Sequence, residues 1–295
     1  MDNHDQPSQT ALTAAAARAA HLQVDGSPKI FTDSLAAVLL SDRADELLAY
    51  HRTHGGHPVL SGARSQVVIR SRYAEDRLAE SVQAGMEQYV ILGAGLDSFA
   101  YRSALTARVR VFEVDHPGTQ AWKRWALSRA GLAPLHSATF VAVDLSTDPL
   151  VDHLLAAGFD LARPAMVSWL GVTMYLTRAA IAQTLAALGG LAPGTELVAD
   201  YMLPAGMRDA AGDSYVEQVA PVAAQRGEPW HTLLAPDDMI SLLASHGLQS
   251  LAQVHQHDAI DPALWVRSDG LRPVTLSVLA HAKVGAPVSA TGREG

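Results

Sequence analysis

Val90-Ile91-Leu92-Gly93-Ala94-Gly95-Leu96-Asp97-Ser98, followed by Val111-Phe112-Glu113-Val114-Asp115, decides how this chain reads. The apolar run ending in two closely spaced glycines predicts a buried strand, Gln88 to Leu92, that turns sharply into a helix. The second run, Val109 to Val114, predicts a strand ending in acids. Strand, glycine turn, helix, strand is the opening of a doubly wound α/β sheet. Glycines at a strand end let backbone approach a ligand with no Cβ between them, and an acid at the end of the next strand can accept hydrogen bonds from ribose hydroxyls. Asp115 lies 20 positions after Gly95. That pattern alone is shared by nicotinamide, flavin and methionine-nucleoside sites, and also by tight turns that bind nothing.

Beyond this unit, further strands are expected at Thr139 to Val143, Ala165 to Gly171, Glu196 to Tyr201, Leu248 to Val254 and Val274 to Ala282, which makes seven. The segment between the last two is polar and carries Pro262, Gly270 and Pro273, so it supplies no crossover helix and the final strand is expected to run antiparallel. On the N-terminal side, helices are expected over Ala11 to Gln23, Asp33 to Leu40 and Ala44 to His54, and a longer one from Arg64 to Val82 that stops at Gly85. Pro204 to Pro236 holds one helical stretch among glycines and reads as a cap over the strand ends.

Bulk properties narrow the partners. The 295 residues are 48% hydrophobic and 18% charged, with a net charge of −8 and no cysteine. An acidic chain has little general attraction to phosphates, so nucleic acid is not expected as a partner. Without cysteine there are no disulfides, thiolate metal sites or thiol nucleophiles, and a reducing cytoplasmic setting is allowed. No export signal is legible, and the longest apolar region, around Met166 to Leu176, is too short to span a bilayer, so no membrane partner is expected either.

The local chemistry of the glycine turn separates the cofactors. A pyrophosphate wants a third glycine and a bare helix N-terminus, whereas this chain has Ser98 there and Asp97 beside it, which disfavours a nicotinamide dinucleotide. S-adenosylmethionine has no phosphate and carries a cationic sulfonium, so an acidic glycine loop suits it. At the end of the third strand, in Val141-Ala142-Val143-Asp144-Leu145, the Asp144 carboxylate can accept from an adenine amino group while the adjoining backbone N–H meets a ring nitrogen. Asp144 reads equally well as a helix cap. Three successive strand ends bearing Gly, Asp and Asp favour the nucleoside.

Taken together, Arg70-Ser71-Arg72-Tyr73, Gly93-Ala94-Gly95-Leu96-Asp97-Ser98, Phe112-Glu113-Val114-Asp115-His116-Pro117, Val143-Asp144-Leu145 and Ser168-Trp169-Leu170-Gly171-Val172-Thr173-Met174-Tyr175-Leu176-Thr177 resemble the bacterial branch of the leucine carboxyl methyltransferase family. The resemblance runs from about His21 through the final strand. It implies a class I methyltransferase (Rossmann-like) fold with N-terminal helices and a helical cap, S-adenosyl-L-methionine as donor, and O-methylation of a small-molecule or peptide carboxylate. It also implies roles: Asp115 for the ribose, Asp144 with Leu145 for the adenine, Gly93 and Gly95 packed on the donor, and Arg70 for the donor's carboxylate. Glu113 competes with Asp115, because both face one side of the same strand. Where many relatives have Glu five residues before the motif tyrosine, this chain has Leu170.

The expected organisation is a tail over 1–10 and a single domain over 11–283. Within it lie a helical prelude (11–87), a donor-binding core (88–201), the cap (202–236) and the rest of the sheet (237–283); 284–295 form a second tail. Methyl transfer from a sulfonium is an in-line displacement that mainly needs alignment in a dry pocket, and a carboxylate acceptor, ionised at neutral pH, needs no base. No catalytic dyad is legible: His116 and His231, the latter within Gly227-Glu228-Pro229-Trp230-His231, read as loop histidines. His51, His54 and His57 read as a solvated helix end and not as a metal site. His255 and His257 read as outward-facing. The competing readings are a hydroxyl-directed O-methyltransferase, a nicotinamide-dependent oxidoreductase and a donor-binding protein without catalysis. Acceptor identity and oligomeric state are not written in these motifs.

Overall fold

The computed structural model describes residues 7–286. Its helices are α1 (Gln9–Val24), α2 (Ala36–Leu39), α3 (Ala44–His54), α4 (Pro58–Gln83), α5 (Phe99–Arg102), α6 (Pro117–Arg129), α7 (Leu150–Ala156), α8 (Arg178–Gly189), α9 (Ala210–Gln225) and α10 (Pro236–Ser245). Its strands are β1 (Gln88–Leu92), β2 (Arg110–Asp115), β3 (Ala138–Ala142), β4 (Met166–Trp169), β5 (Glu196–Met202), β6 (Leu248–His255) and β7 (Ser277–Val284). They form one seven-stranded sheet in the order β3-β2-β1-β4-β5-β7-β6, with β7 antiparallel to both neighbours, as the missing crossover helix requires. Strand order reverses between β1 and β4, the switch point at which open α/β sheets leave a crevice outside the strand ends.

Both faces of the sheet are covered. Alternation along β5 shows the two layers: Val198 joins the cluster built with α1 and α4, while Leu197, Ala199 and Tyr201 join the cluster built with α8 and α10. Trp169 at the end of β4 is fully buried in the second cluster. α4 starts with Pro58 at its first turn, where no N–H partner is needed, and ends at Ala84 before Gly85, whose φ of +100° provides the left-handed stop. α9 packs on α4 closely enough that a Cβ at Gly62 would lie 3.4 Å from the Tyr215 ring.

Four expectations about element boundaries are corrected. The helix foreseen over Asp33 to Leu40 is only the single turn Ala36–Leu39, because the Asp33 carboxylate caps Leu35 N at 3.1 Å and Ser41 adopts a left-handed φ of +53°. β4 stops at Trp169, since Gly171 turns the chain with φ +71°. Ser8, Gln9 and Thr10, assigned to the tail over 1–10, are ordered: Ser8 Oγ accepts from Ala11 N at 3.2 Å and α1 begins at Gln9. At the other end β7 runs through Val284, one residue into the expected second tail. Residues 1–6 and 287–295 of those tails lie outside the described residues.

Among the described residues no helix is long and apolar enough to cross a membrane, and no group of His, Asp and Glu is arranged to hold a metal ion. His51 is not part of a solvated helix end; it is buried, its ring lies 3.4 Å from an Arg64 amino group, and burial with that neighbouring charge pushes its pKa down to about 4. His54 and His57 do stay at the surface. His255 and His257 are exposed as well.

Candidate active site

A cavity of about 260 Å³ opens at the carboxyl ends of β1, β2 and β4, and it brings together Arg70, Gly93, Gly95, Asp115, Asp144 and Leu145, the residues to which the family resemblance gave donor roles. The floor is backbone. Gly93 has φ +65°, and a Cβ built on it would sit 2.3 Å from Val172 Cγ2, so the loop after β4 closes against the loop after β1 with no space for a side chain. Gly95 has φ +50°, and its missing Cβ would lie 3.3 Å from Ala11 Cβ of α1.

Asp115 and Glu113 share one side of β2 but not one role. Glu113, further back, is fully buried and meets Lys123 Nζ of α6 at 2.5 Å. It does not line the cavity. Asp115 does: its Oδ2 accepts from Gly95 N at 2.5 Å and its Oδ1 from His116 N at 2.6 Å. Burial raises the Asp115 pKa despite these bonds. Asp144 combines a capping role with a place on the cavity wall. It caps the next turn, Oδ1 accepting from Ser146 N at 2.8 Å, and it lines the cavity beside Leu145.

Arg70 reaches the cavity from α4. Its Nη1 donates to Asp200 Oδ2 at 3.3 Å, and no other hydrogen bond of that guanidinium is made among the described residues. The guanidinium lies against Gly171, where a Cβ would be 2.4 Å from Nη2. Asp97, also on the wall, caps Phe99 N at 2.7 Å. Ser98 turns away from the cavity; its hydroxyl donates to Asp33 at 2.6 Å and accepts from Arg102 Nε at 2.8 Å. Asp33 also takes Arg18 Nε at 2.8 Å; burial opposes its charge, but Arg18, Ser98 and Arg102 outweigh burial and lower its pKa.

The cap over the strand ends was expected; the part of the roof supplied by α1 was not. Ala11, Ala14 and Arg18, spaced on one face of α1, line the cavity together with Ser8 and Thr10. Arg18 Nη2 donates to Leu96 O of the glycine loop at 2.6 Å. From the cap side comes Glu228, whose carboxylate accepts from Ser8 Oγ at 2.5 Å, Thr10 N at 3.0 Å and the Thr10 hydroxyl. The loop carrying Glu228 is itself fixed, with Thr232 Oγ1 on Leu176 O at 2.6 Å and His231 N on Met174 O at 2.7 Å. His231 is exposed and outside the cavity; His116 is at its edge, with Nδ1 accepting from Gly118 N at 3.2 Å. Tyr175 lines the cavity, and burial raises the pKa of its phenol. The helical spacing in α1 and the acid in the Gly-Glu-Pro-Trp turn were the available signals for this roof.

Glycines whose Cβ positions are already filled, acids at the ends of β2 and β3, and a guanidinium with unused N–H groups form a cradle suited to a nucleoside carrying an amino-acid tail. With the seven-stranded sheet and its reversed last strand, fold and site define a class I methyltransferase. The chain belongs to the leucine carboxyl methyltransferase family, whose pattern matches residues 11–189. It is 31% identical over 289 residues to the Bacillus subtilis (strain 168) protein named "Putative S-adenosyl-L-methionine-dependent methyltransferase YktD", a match covering 90% of this chain and 94% of that one. A Mycobacteroides abscessus protein described in the same words is 35% identical over 195 residues, covering 65% of this chain and 63% of that one. Two solved structures share the fold. One, a "putative methyltransferase" from Thermobifida fusca YX, has TM-score 0.61 and 19% identity over 96% of this chain and 97% of that one. The other, a DUF574 family protein from Streptomyces avermitilis, has TM-score 0.58 and 17% identity over 91% and 96%. Membership makes S-adenosyl-L-methionine the methyl donor.

Proposed function

We propose that the protein is a cytoplasmic O-methyltransferase acting on a carboxylate of a small molecule or peptide. When bound, the donor supplies an electrophilic methyl group for in-line displacement by the acceptor oxygen. The chain's own residues bind and align. Asp115 accepts from the ribose hydroxyls, Asp144 and the backbone at Leu145 hold the adenine edge, and Arg70 takes the donor's carboxylate through N–H groups left unused by protein. Gly93 and Gly95 let backbone pack on the donor, and α1 covers the cavity and keeps water out.

The observation that carries the carboxylate reading is Tyr175. Its phenol lines the cavity and, like any tyrosine with a pKa of about 10 or above, is protonated at neutral pH, so it offers the cavity a hydrogen-bond donor and not a base. A donor suits an acceptor oxygen that is already an anion, whereas a neutral hydroxyl acceptor would need its proton removed. The test is to incubate purified protein and methyl-labelled donor with panels of carboxylic acids, peptides, phenols and alcohols, then treat the products with mild base. Label released as methanol is the expected result. A base-stable ether would replace this reading with hydroxyl methylation, and bound donor without turnover of any panel would leave a donor-binding protein.

A further inference from the structure

Asp200 does not line the cavity and belongs to none of the motifs quoted above, yet two walls of the cavity meet on it. It lies on β5 one residue past Ala199, the last residue of β5 to pair with β4, so its side chain points toward α4 beneath the turn that follows β4. The side chain is 1% exposed. One carboxylate oxygen accepts from Gly171 N at 2.5 Å, and the other accepts from Arg70 Nη1 at 3.3 Å. Its backbone oxygen accepts from Thr173 Oγ1 at 2.7 Å, which ties the same turn to the strand a second time. A buried carboxylate is costly unless its oxygens are satisfied, and here they are satisfied by the residue that reaches the cavity and the glycine against which that residue lies.

We infer that Asp200 is the positioning residue for Arg70: its buried carboxylate holds the guanidinium over Gly171, so that the unused N–H groups face the cavity to meet the carboxylate of the donor's amino-acid tail. The inference rests on the donor reading above and adds a residue that touches no ligand. An arginine on a long flexible stem pays rotamer entropy each time it orders, and a fixed carboxylate behind it removes part of that cost before the ligand arrives. Gly171 is part of the same device, since any side chain there would fill the space the guanidinium occupies.

The test compares two ligands that differ in the part Arg70 would read. S-adenosylhomocysteine carries the amino-acid tail; 5′-methylthioadenosine carries the same nucleoside without it. Calorimetric titration of the wild type is expected to show binding of both, with S-adenosylhomocysteine tighter. Asp200→Asn keeps the shape and one acceptor for Gly171 N. It should weaken S-adenosylhomocysteine by roughly tenfold or more, the effect of misplacing a charge-assisted hydrogen bond, and leave 5′-methylthioadenosine unchanged. Arg70→Ala should abolish the same preference, and Arg70→Ala with Asp200→Asn should be no worse than Arg70→Ala alone, because the two act as one unit. Equal weakening of both ligands would make Asp200 a merely structural residue and overturn the inference. An unchanged or improved preference for S-adenosylhomocysteine in Asp200→Asn would do the same. A wild type that binds neither ligand would bring down the donor reading itself, whereas a wild type that binds both equally would leave that reading standing and remove only the role given to Arg70 and Asp200.

Discussion

The floor of the cavity is made by backbone at the ends of three parallel strands, and its roof by side chains of α1 and the cap loop that meet from opposite ends of the chain. The floor depends on what is absent: Gly93 leaves room for Val172, and Gly95 for Ala11. The roof depends on what is present, a single Glu228 carboxylate accepting from Ser8 and Thr10. Errors in the floor should therefore be steric and severe, and errors in the roof graded. Four measurements test this difference between floor and roof.

Gly93→Ala should have the largest effect. The new Cβ lies 2.3 Å from Val172 Cγ2 at a φ of +65°, so the loop must shift; misplacement on that scale costs about a hundredfold in productive binding. Titration with S-adenosylhomocysteine reads the loss. Adding Val172→Ala should recover part of it by relieving the contact while the backbone strain remains, and full independence of the two substitutions would break the steric account of the floor.

Asp115→Asn comes next, with a loss of about tenfold or more for the same ligand, as one charged acceptor is removed. Burial raises the Asp115 pKa, so in the free protein the carboxyl takes up its proton at a higher pH than an ordinary aspartate. Affinity for S-adenosylhomocysteine should accordingly fall as pH drops, with a midpoint above the usual aspartate range, and the Asn variant should lose that slope. A wild-type profile flat down to pH 4 would show that the charge of Asp115 is not used.

Glu228→Gln should be milder. Release of the α1 end should lower the unfolding free energy by about 1–2 kcal/mol and speed dissociation of S-adenosylhomocysteine several-fold, with little change in the association rate. Stopped-flow exchange separates the two rates. Loss of affinity as large as that of Gly93→Ala would erase the distinction between floor and roof.

Glu196 supplies the control, at the opposite end of the strands. The His281 ring at 3.0 Å, opposed by partial burial and helped by Ser81, holds its pKa down to about 2. A depressed carboxylate pKa stabilises the fold fully above about pH 4.5 and loses that contribution as pH falls toward 2. Glu196→Gln should flatten the acid limb of the stability curve in pH-dependent melting and leave ligand affinity at neutral pH unchanged.

The same division governs what could be read from the sequence. Strands buried on both faces announce themselves as apolar runs, so β1 was foreseen to the residue and the antiparallel β7 followed from a missing crossover. The floor residues were legible because glycine and aspartate recur at three successive strand ends, a combination more telling than any one of them. The cap was legible, but the way α1 joins it was not, because Ser8 and Thr10 meet Glu228 in a pairing that no local spacing encodes. Asp200 was hidden for a related reason: it reads as one polar position in a strand, and its importance lies in Arg70 and Gly171 arriving from other elements. The choice between Glu113 and Asp115 also needed a third element, since α6 brings Lys123 to the former.

β7 lies between β5 and β6, although it is the latest strand in sequence, and the bond from Ser8 to Glu228 spans 220 positions. During synthesis β6 emerges with no partner strand, and α1, made first, waits for the cap before its end is tied down. Pairings of such sequence separation slow folding and leave strand edges open meanwhile. The donor-binding floor is thus assembled from the first two-thirds of the chain, while the roof waits for Glu228 and the neighbouring sheet edge for β7. A translation pause or truncation before residue 277 would yield a nascent chain with an open edge at β5 and a site that has its floor but an incomplete sheet behind it.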